Sequence, residues 1–82
     1  MRTKVLAELS DLCLRRGIDI TINRYGVILR IHRGDLVYNR SYTPALLEAY
    51  EHSFIIIVDQ FCEEAEQKFI EYERKANERN NN

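Results

Sequence analysis

The sequence has little of the residue types on which specialised sites and unusual scaffolds depend. Its 82 residues include no Trp, one Pro, three Gly and two Cys. Two cysteines without a CxxC motif or a Cys/His cluster favour neither a disulfide scaffold nor a zinc module. The longest apolar run, residues 54–58, is far too short to span a bilayer, and no secretory leader follows Met1. We therefore expect one cytoplasmic domain without a metal or another cofactor.

Recognisable sets of catalytic residues are also missing. The sequence contains no Gly-rich phosphate loop and no grouped nucleophile, base and orienting residue. His32 and His52 are isolated from cysteines and from suitably spaced carboxylates. We therefore expect a protein that is not an enzyme.

Charge is distributed unevenly along the chain, although the net charge is only −1. Residues 1–43 carry eight Lys or Arg and four Asp or Glu, whereas residues 44–82 carry four and nine. A basic half and an acidic half can mark a binding surface, or they can complement each other within one fold.

Hydrophobic periodicity predicts an α+β fold in the order αβββα. Residues 3–16 have helical spacing and precede Gly17, a favoured residue after a helix end. Residues 18–23, 27–32 and 36–42 alternate apolar and polar side chains, as half-buried strands do. Short turns join them into a three-stranded antiparallel meander, packed on one face by the helices. The domain is expected to span residues 1–76, and residues 77–82 are expected to be a flexible polar tail.

The turns also predict the register of the sheet. A two-residue type II′ turn at Gly34-Asp35 places Arg33 opposite Leu36 and Val27 opposite Tyr42. The face toward the helices then carries Val27, Leu29, Ile31, Tyr38 and Tyr42, and has to accommodate Arg40. The other face carries Ile28, Arg30, His32, Val37, Asn39 and Ser41.

A long second helix is predicted to begin at Thr43-Pro44, an N-cap residue followed by proline at the first helical position. Nine residues within it repeat every three or four positions, a period of about 3.6 that is typical of a straight α-helix. They are Leu47, Tyr50, Phe54, Val58, Phe61, Ala65, Phe69, Tyr72 and Ala76. This stripe is about 44 Å long at about 1.5 Å per residue. A bend near residues 51–53 is left open.

The distal half of this stripe is the first candidate for a functional surface. The predicted strands are about 23 Å long, three of them make a sheet about 14 Å wide, and the first helix has about 20 Å of apolar length. We expect these elements to cover about half of the stripe. Apolar surface left in water usually marks an interaction site. The alternative is that the helix bends and buries the whole stripe. Ala49, His52, Ile56 and Ile70 form a second patch opposite the main stripe.

The predicted partner is a protein, either a second copy in a homodimer or a host protein. Apolar anchors flanked by acidic residues would form the contact. The predicted partner-binding residues are Phe61, Glu63, Glu64, Ala65, Glu66, Phe69, Ile70, Tyr72 and Glu73.

Basic residues on the predicted sheet and its turns form an alternative candidate surface for an anion or a nucleic acid. Its members are Arg24, Tyr25, Arg30, His32, Arg33 and Arg40. A solvated outer sheet face is the simpler interpretation, because charge on a sheet discourages edge pairing. No aromatic platform interleaves with these arginines.

The element order resembles that of two families. One comprises the double-stranded-RNA-binding domains, whose second helix begins with lysines that contact phosphates; residues 43–48 here contain no lysine. In length, element order and acidic last helix, the chain also resembles small αβββα proteins of phages and mobile elements, including anti-CRISPR inhibitors. That resemblance spans residues 3–76 and rests on topology. It implies a non-catalytic inhibitor or regulator that acts by protein contact.

Overall fold

The structure, a computed structural model, describes residues 3–80. Its elements are α1 (Thr3–Arg15), β1 (Asp19–Asn23), β2 (Gly26–Arg33), β3 (Leu36–Tyr42), α2 (Pro44–Ala49) and α3 (Phe54–Asn80). The predicted α+β class is confirmed, with an N-terminal helix, a three-stranded antiparallel sheet and a long C-terminal helix. The long second helix is divided into α2 and α3.

The sheet has the strand order β1-β2-β3 and the register that the turns predict. Arg33 pairs with Leu36, Ile31 with Tyr38 and Val27 with Tyr42. Gly34 has a φ of +59° and Asp35 has no positive φ, as a type II′ turn requires. The alternation of the strands therefore places the predicted apolar residues toward the helices.

A close approach between two strands fixes the other end of the sheet. Gly26 has a φ of +126°, and a Cβ atom built on it would lie 1.9 Å from the backbone carbonyl oxygen of Tyr42. Only glycine has neither the steric penalty at this φ nor the Cβ that would collide. The turn before β2 therefore depends on Gly26.

The helices pack on one face of the sheet and enclose a single core. α1 contacts β1 and α3, α2 contacts β2, and α3 contacts β3 and β2. α1 ends with hydrogen bonds from Gly17 N to Leu14 O and from Ile18 N to Cys13 O, the pair that defines a Schellman motif. The buried core comprises Leu9, Cys13, Ile18, Val27, Leu29, Tyr42, Leu47, Phe54, Ile57, Val58 and Phe61.

A break at residues 50–53 separates α2 from α3, so the bend left open by the sequence is present. Thr43 caps α2 by accepting a hydrogen bond from Leu46 N at 3.2 Å, as predicted. Turns follow in which Tyr50 N bonds Leu47 O and Ser53 N bonds Tyr50 O. The break lets α2 cover β2 while α3 follows β3.

The far end of α3 extends beyond the predicted domain boundary. α3 continues to Asn80, four residues beyond the predicted boundary at residue 76. The flexible tail of residues 77–82 stays a prediction, and residues 81–82 lie outside the described part of the chain. The fold measures 52 × 23 × 18 Å, because α3 alone is about 40 Å long. Within residues 3–80, no helix combines the length and the apolar character needed to cross a membrane.

Candidate protein-interaction surface

The predicted apolar anchors Phe61, Ala65 and Phe69 are buried within the monomer. Their side chains are at most 2% exposed, so the prediction that they face a partner is wrong. The reason is the break before Phe54. The buried part of α3, from Phe54 to Phe69, is about 22 Å long, which matches the length of a seven-residue strand. Of the distal stripe, only Tyr72 and Ala76 remain exposed.

Two aromatic contacts hold this part of α3 on the sheet. The Tyr38 and Phe61 rings are 5.4 Å apart between centroids and tilted by 41°. The guanidinium of Arg33 lies 4.9 Å from the centroid of Phe69, within the range of a cation–π contact. The β2–β3 hairpin therefore covers the anchors that were expected to need a partner.

Half of the predicted acidic rim is engaged within the chain. Glu64 accepts a hydrogen bond from Tyr38 Oη at 2.8 Å and forms an ion pair with Arg40. Glu66 accepts hydrogen bonds from both terminal nitrogens of Arg33. Glu63 and Glu73 are exposed and form no salt bridge within residues 3–80. Of the four acidic residues in the predicted rim, only these two remain available to a partner.

The electrostatics of these pairs follow from their contacts. Partial burial disfavours ionisation of Glu64, but hydrogen bonds from Arg40 and Tyr38 outweigh it and lower the pKa of this carboxyl. The hydrogen bond from Arg33 lowers the pKa of Glu66. Both carboxylates are charged at neutral pH and hold α3 to the sheet.

The predicted basic surface is divided between different faces. Arg33 and Arg40 lie on the helix-facing side of the sheet, where they pair with α3. Arg30 and His32 lie on the opposite face, and His32 Nε2 is 3.6 Å from Asp19 Oδ2. Arg24 and the exposed Tyr25 form the β1–β2 turn. The structure therefore does not bring these residues together into one patch.

The apolar surface that remains on α3 lies on its outward side and toward its end. Ile55, Ile56, Ile70 and Tyr72 are 42–47% exposed. Ile56 and Ile70 belong to the predicted second patch, and both are at the surface. Ile55 was not identified from the sequence, because the helical period alone does not show which positions on the helix the sheet covers.

A hollow near the end of α3 brings helix and hairpin residues together. We call it the distal cleft. It has a volume of about 580 Å³ and is lined by Asp35, Leu36, Val37, Tyr72, Lys75, Ala76 and Arg79. Only Tyr72 among these was predicted as a site residue. The helical spacing of Tyr72, Ala76 and Arg79 was the signal that could have revealed the helix wall of the cleft.

The two thiols of the chain are poor nucleophiles. Burial, together with the nearby Cys62, raises the pKa of Cys13 to about 11. Burial also raises the pKa of Cys62. Neither thiol is thus activated at neutral pH. In the part of the chain that the structure describes, no group of three or more His, Cys, Asp or Glu residues is arranged to hold a metal ion.

Comparison with known proteins finds no matching family model and no significantly similar curated protein or solved structure.

Proposed function

We propose that this chain is a small non-catalytic binding module that acts by protein–protein contact through the outward side and the free end of α3. Four large apolar side chains on that helix remain 42–47% exposed, whereas its sheet-facing stripe is buried from Phe54 to Phe69. This exposure is the observation that carries the proposal, since apolar groups that remain in water on a folded helix favour a partner.

The chemistry of the surface suits a protein partner. Ile56 and Ile70 are separated by four helical turns, with the unpaired Glu63 midway between them. Apolar side chains surrounded by polar groups are typical of an interface with a hydrophobic centre and a charged rim. The topological resemblance favours one form of this function, an inhibitor or regulator like those of phages and mobile elements.

The test is to place a charge on the proposed surface and an identical charge elsewhere. Ile70→Asp is expected to abolish capture of a protein partner, because a buried unpaired carboxylate is costly at an interface. Leu14→Asp is the matched control, since Leu14 on α1 is 70% exposed and lies outside the surface. Both variants are expected to retain the thermal stability of the parent. Equal binding by the parent and both variants would contradict the proposal.

A further inference from the structure

Along the free end of α3, residues 72–79 are all exposed. Phe69 is the last buried residue of the helix, and residues 70–80 extend about 16 Å further. Helical segments of this length are marginal in water when no face is packed. Tyr72 and Ala76 nevertheless face the distal cleft. An occupant of this cleft would cover them and stabilise the helix end.

The cleft has an apolar floor between walls of opposite charge. The apolar part comes from Leu36, Tyr72 and Ala76, whereas Asp35 lies on the hairpin and Arg79 on the helix. Lys75 is already held by Glu71 at 3.3 Å. Within residues 3–80, neither Asp35 nor Arg79 forms a salt bridge. These two charges are therefore available to an occupant.

The two walls of the distal cleft carry opposite charges, so each wall is complementary in charge to the other wall of a second copy of the chain. A two-fold axis relates identical surfaces, so a residue on one wall meets a residue of the opposite wall in the second subunit. Asp35 would then face Arg79 of the partner subunit, and the pair would occur twice. Ala76 lines the cleft with a small side chain, which would allow a second helix to approach closely.

We infer that the distal cleft is the interface of a two-fold symmetric dimer, in which the α3 end of each copy occupies the cleft of the other. The inference deepens the proposed function and rests on it, since it assigns the free end of α3 to a second copy of this chain. Seven lining residues are fewer than the roughly 20–30 residues per side of a standard interface. The expected dimer is thus weak, with a dissociation constant in the micromolar range or above.

The test is sedimentation equilibrium of the full chain over a dilution series from millimolar to micromolar concentrations. Asp35→Arg and Arg79→Asp are each expected to weaken dimerisation by about tenfold or more, because each places like charges opposite one another. The double variant Asp35→Arg/Arg79→Asp recreates both pairs in reverse and is expected to restore dimerisation. Glu48→Arg, an exposed charge reversal on α2, is the matched control and is expected to leave the dimer unchanged.

Recovery in the double variant supports this interface specifically, since loss of helix stability in Arg79→Asp could not be repaired by a second substitution on the hairpin. A monomer at every concentration would overturn the inference, as would dimerisation that ignores the two single variants. Failure of the double variant to recover, with its helix content intact by circular dichroism, would also overturn it. A monomeric parent leaves the proposed function standing, because Ile56 and Ile70 lie outside the distal cleft. Loss of that function is read separately, from the Ile70→Asp binding experiment.

Discussion

The guanidinium of Arg33 lies over the ring of Phe69, 4.9 Å from its centroid, and pairs at the same time with Glu66 on the next turn back along α3. One side chain at the end of β2 thus covers the last buried aromatic and anchors the helix that carries it. This arrangement explains why the distal stripe is core as far as Phe69.

Substitution of the buried and exposed aromatics of α3 separates these two interpretations. Phe69→Ala is expected to lower the free energy of unfolding by about 3 kcal/mol, because it leaves a cavity in the core. Tyr72→Ala is expected to cost about 0.5 kcal/mol or less, since Tyr72 is half-exposed. Urea unfolding at low protein concentration measures both. A loss in Phe69→Ala as small as that expected for Tyr72→Ala would contradict the burial of Phe69.

Gly26 is expected to be the least replaceable glycine. Gly26→Ala adds a Cβ that collides with the Tyr42 carbonyl, and we expect a loss of about 3 kcal/mol from strain and strand displacement. Gly17→Ala is the control, because Gly17 also has a positive φ of +69° but has no atom near its added Cβ. Its expected cost is about 1 kcal/mol. Thermal unfolding of the two variants should therefore rank them clearly.

Removal of the Tyr42 hydroxyl and removal of the Tyr38 hydroxyl are expected to have different effects on stability. Tyr42 Oη is buried and has no hydrogen-bond partner within residues 3–80, and burial raises the pKa of Tyr42 to about 12. Tyr42→Phe is thus expected to be neutral or to stabilise by up to about 1 kcal/mol. Tyr38→Phe removes the bond to Glu64 and is expected to cost about 1 kcal/mol. A large loss in Tyr42→Phe would indicate that its hydroxyl has a partner.

Acid is expected to weaken the attachment of α3. The pKa of Glu64 and that of Glu66 lie below the ordinary value of 4.5 in the fold, so unfolding takes up protons. Their contribution to stability is present above pH 4.5 and is lost as the pH falls through the lowered values. Glu64→Gln is expected to flatten this loss in urea titrations, whereas Glu63→Gln, which removes no salt bridge among the described residues, should leave the slope unchanged.

Nucleic-acid binding, the alternative function, is expected to be weak or absent. Arg33 and Arg40 are engaged with α3, which leaves Arg24 and Arg30 as the arginines of the predicted set without an ion pair within residues 3–80. Two phosphate contacts would give a small salt dependence. A generic duplex probe at low salt is expected to show no shift. Binding that disappears in Arg30→Glu and with added salt would instead favour the alternative.

The sheet could be predicted closely from the sequence, because local chemistry determines it. Alternation with a period of two selects the buried face, and the Gly34-Asp35 turn sets every pairing between β2 and β3. The cap at Thr43 follows equally from local rules. These features need no knowledge of distant residues.

The break between α2 and α3 could not be predicted in this way. The apolar period continues through residues 50–53, and neither Gly nor Pro occurs there. The break arises because Leu47 must reach β2 while Phe61 and Phe69 follow the β2–β3 hairpin. Because the break lets α3 pack on the hairpin, Phe69 is buried. The candidate site therefore differs from the one predicted from the sequence.

The projecting end of α3 also determines how the monomer diffuses. The radius of gyration is 14.8 Å, whereas a compact chain of this length would have about 12 Å. Elution from a sizing column follows hydrodynamic radius rather than mass. A monomer of this chain is therefore expected to elute somewhat earlier than a compact standard of the same mass, so an early peak on such a column is not by itself a sign of a dimer.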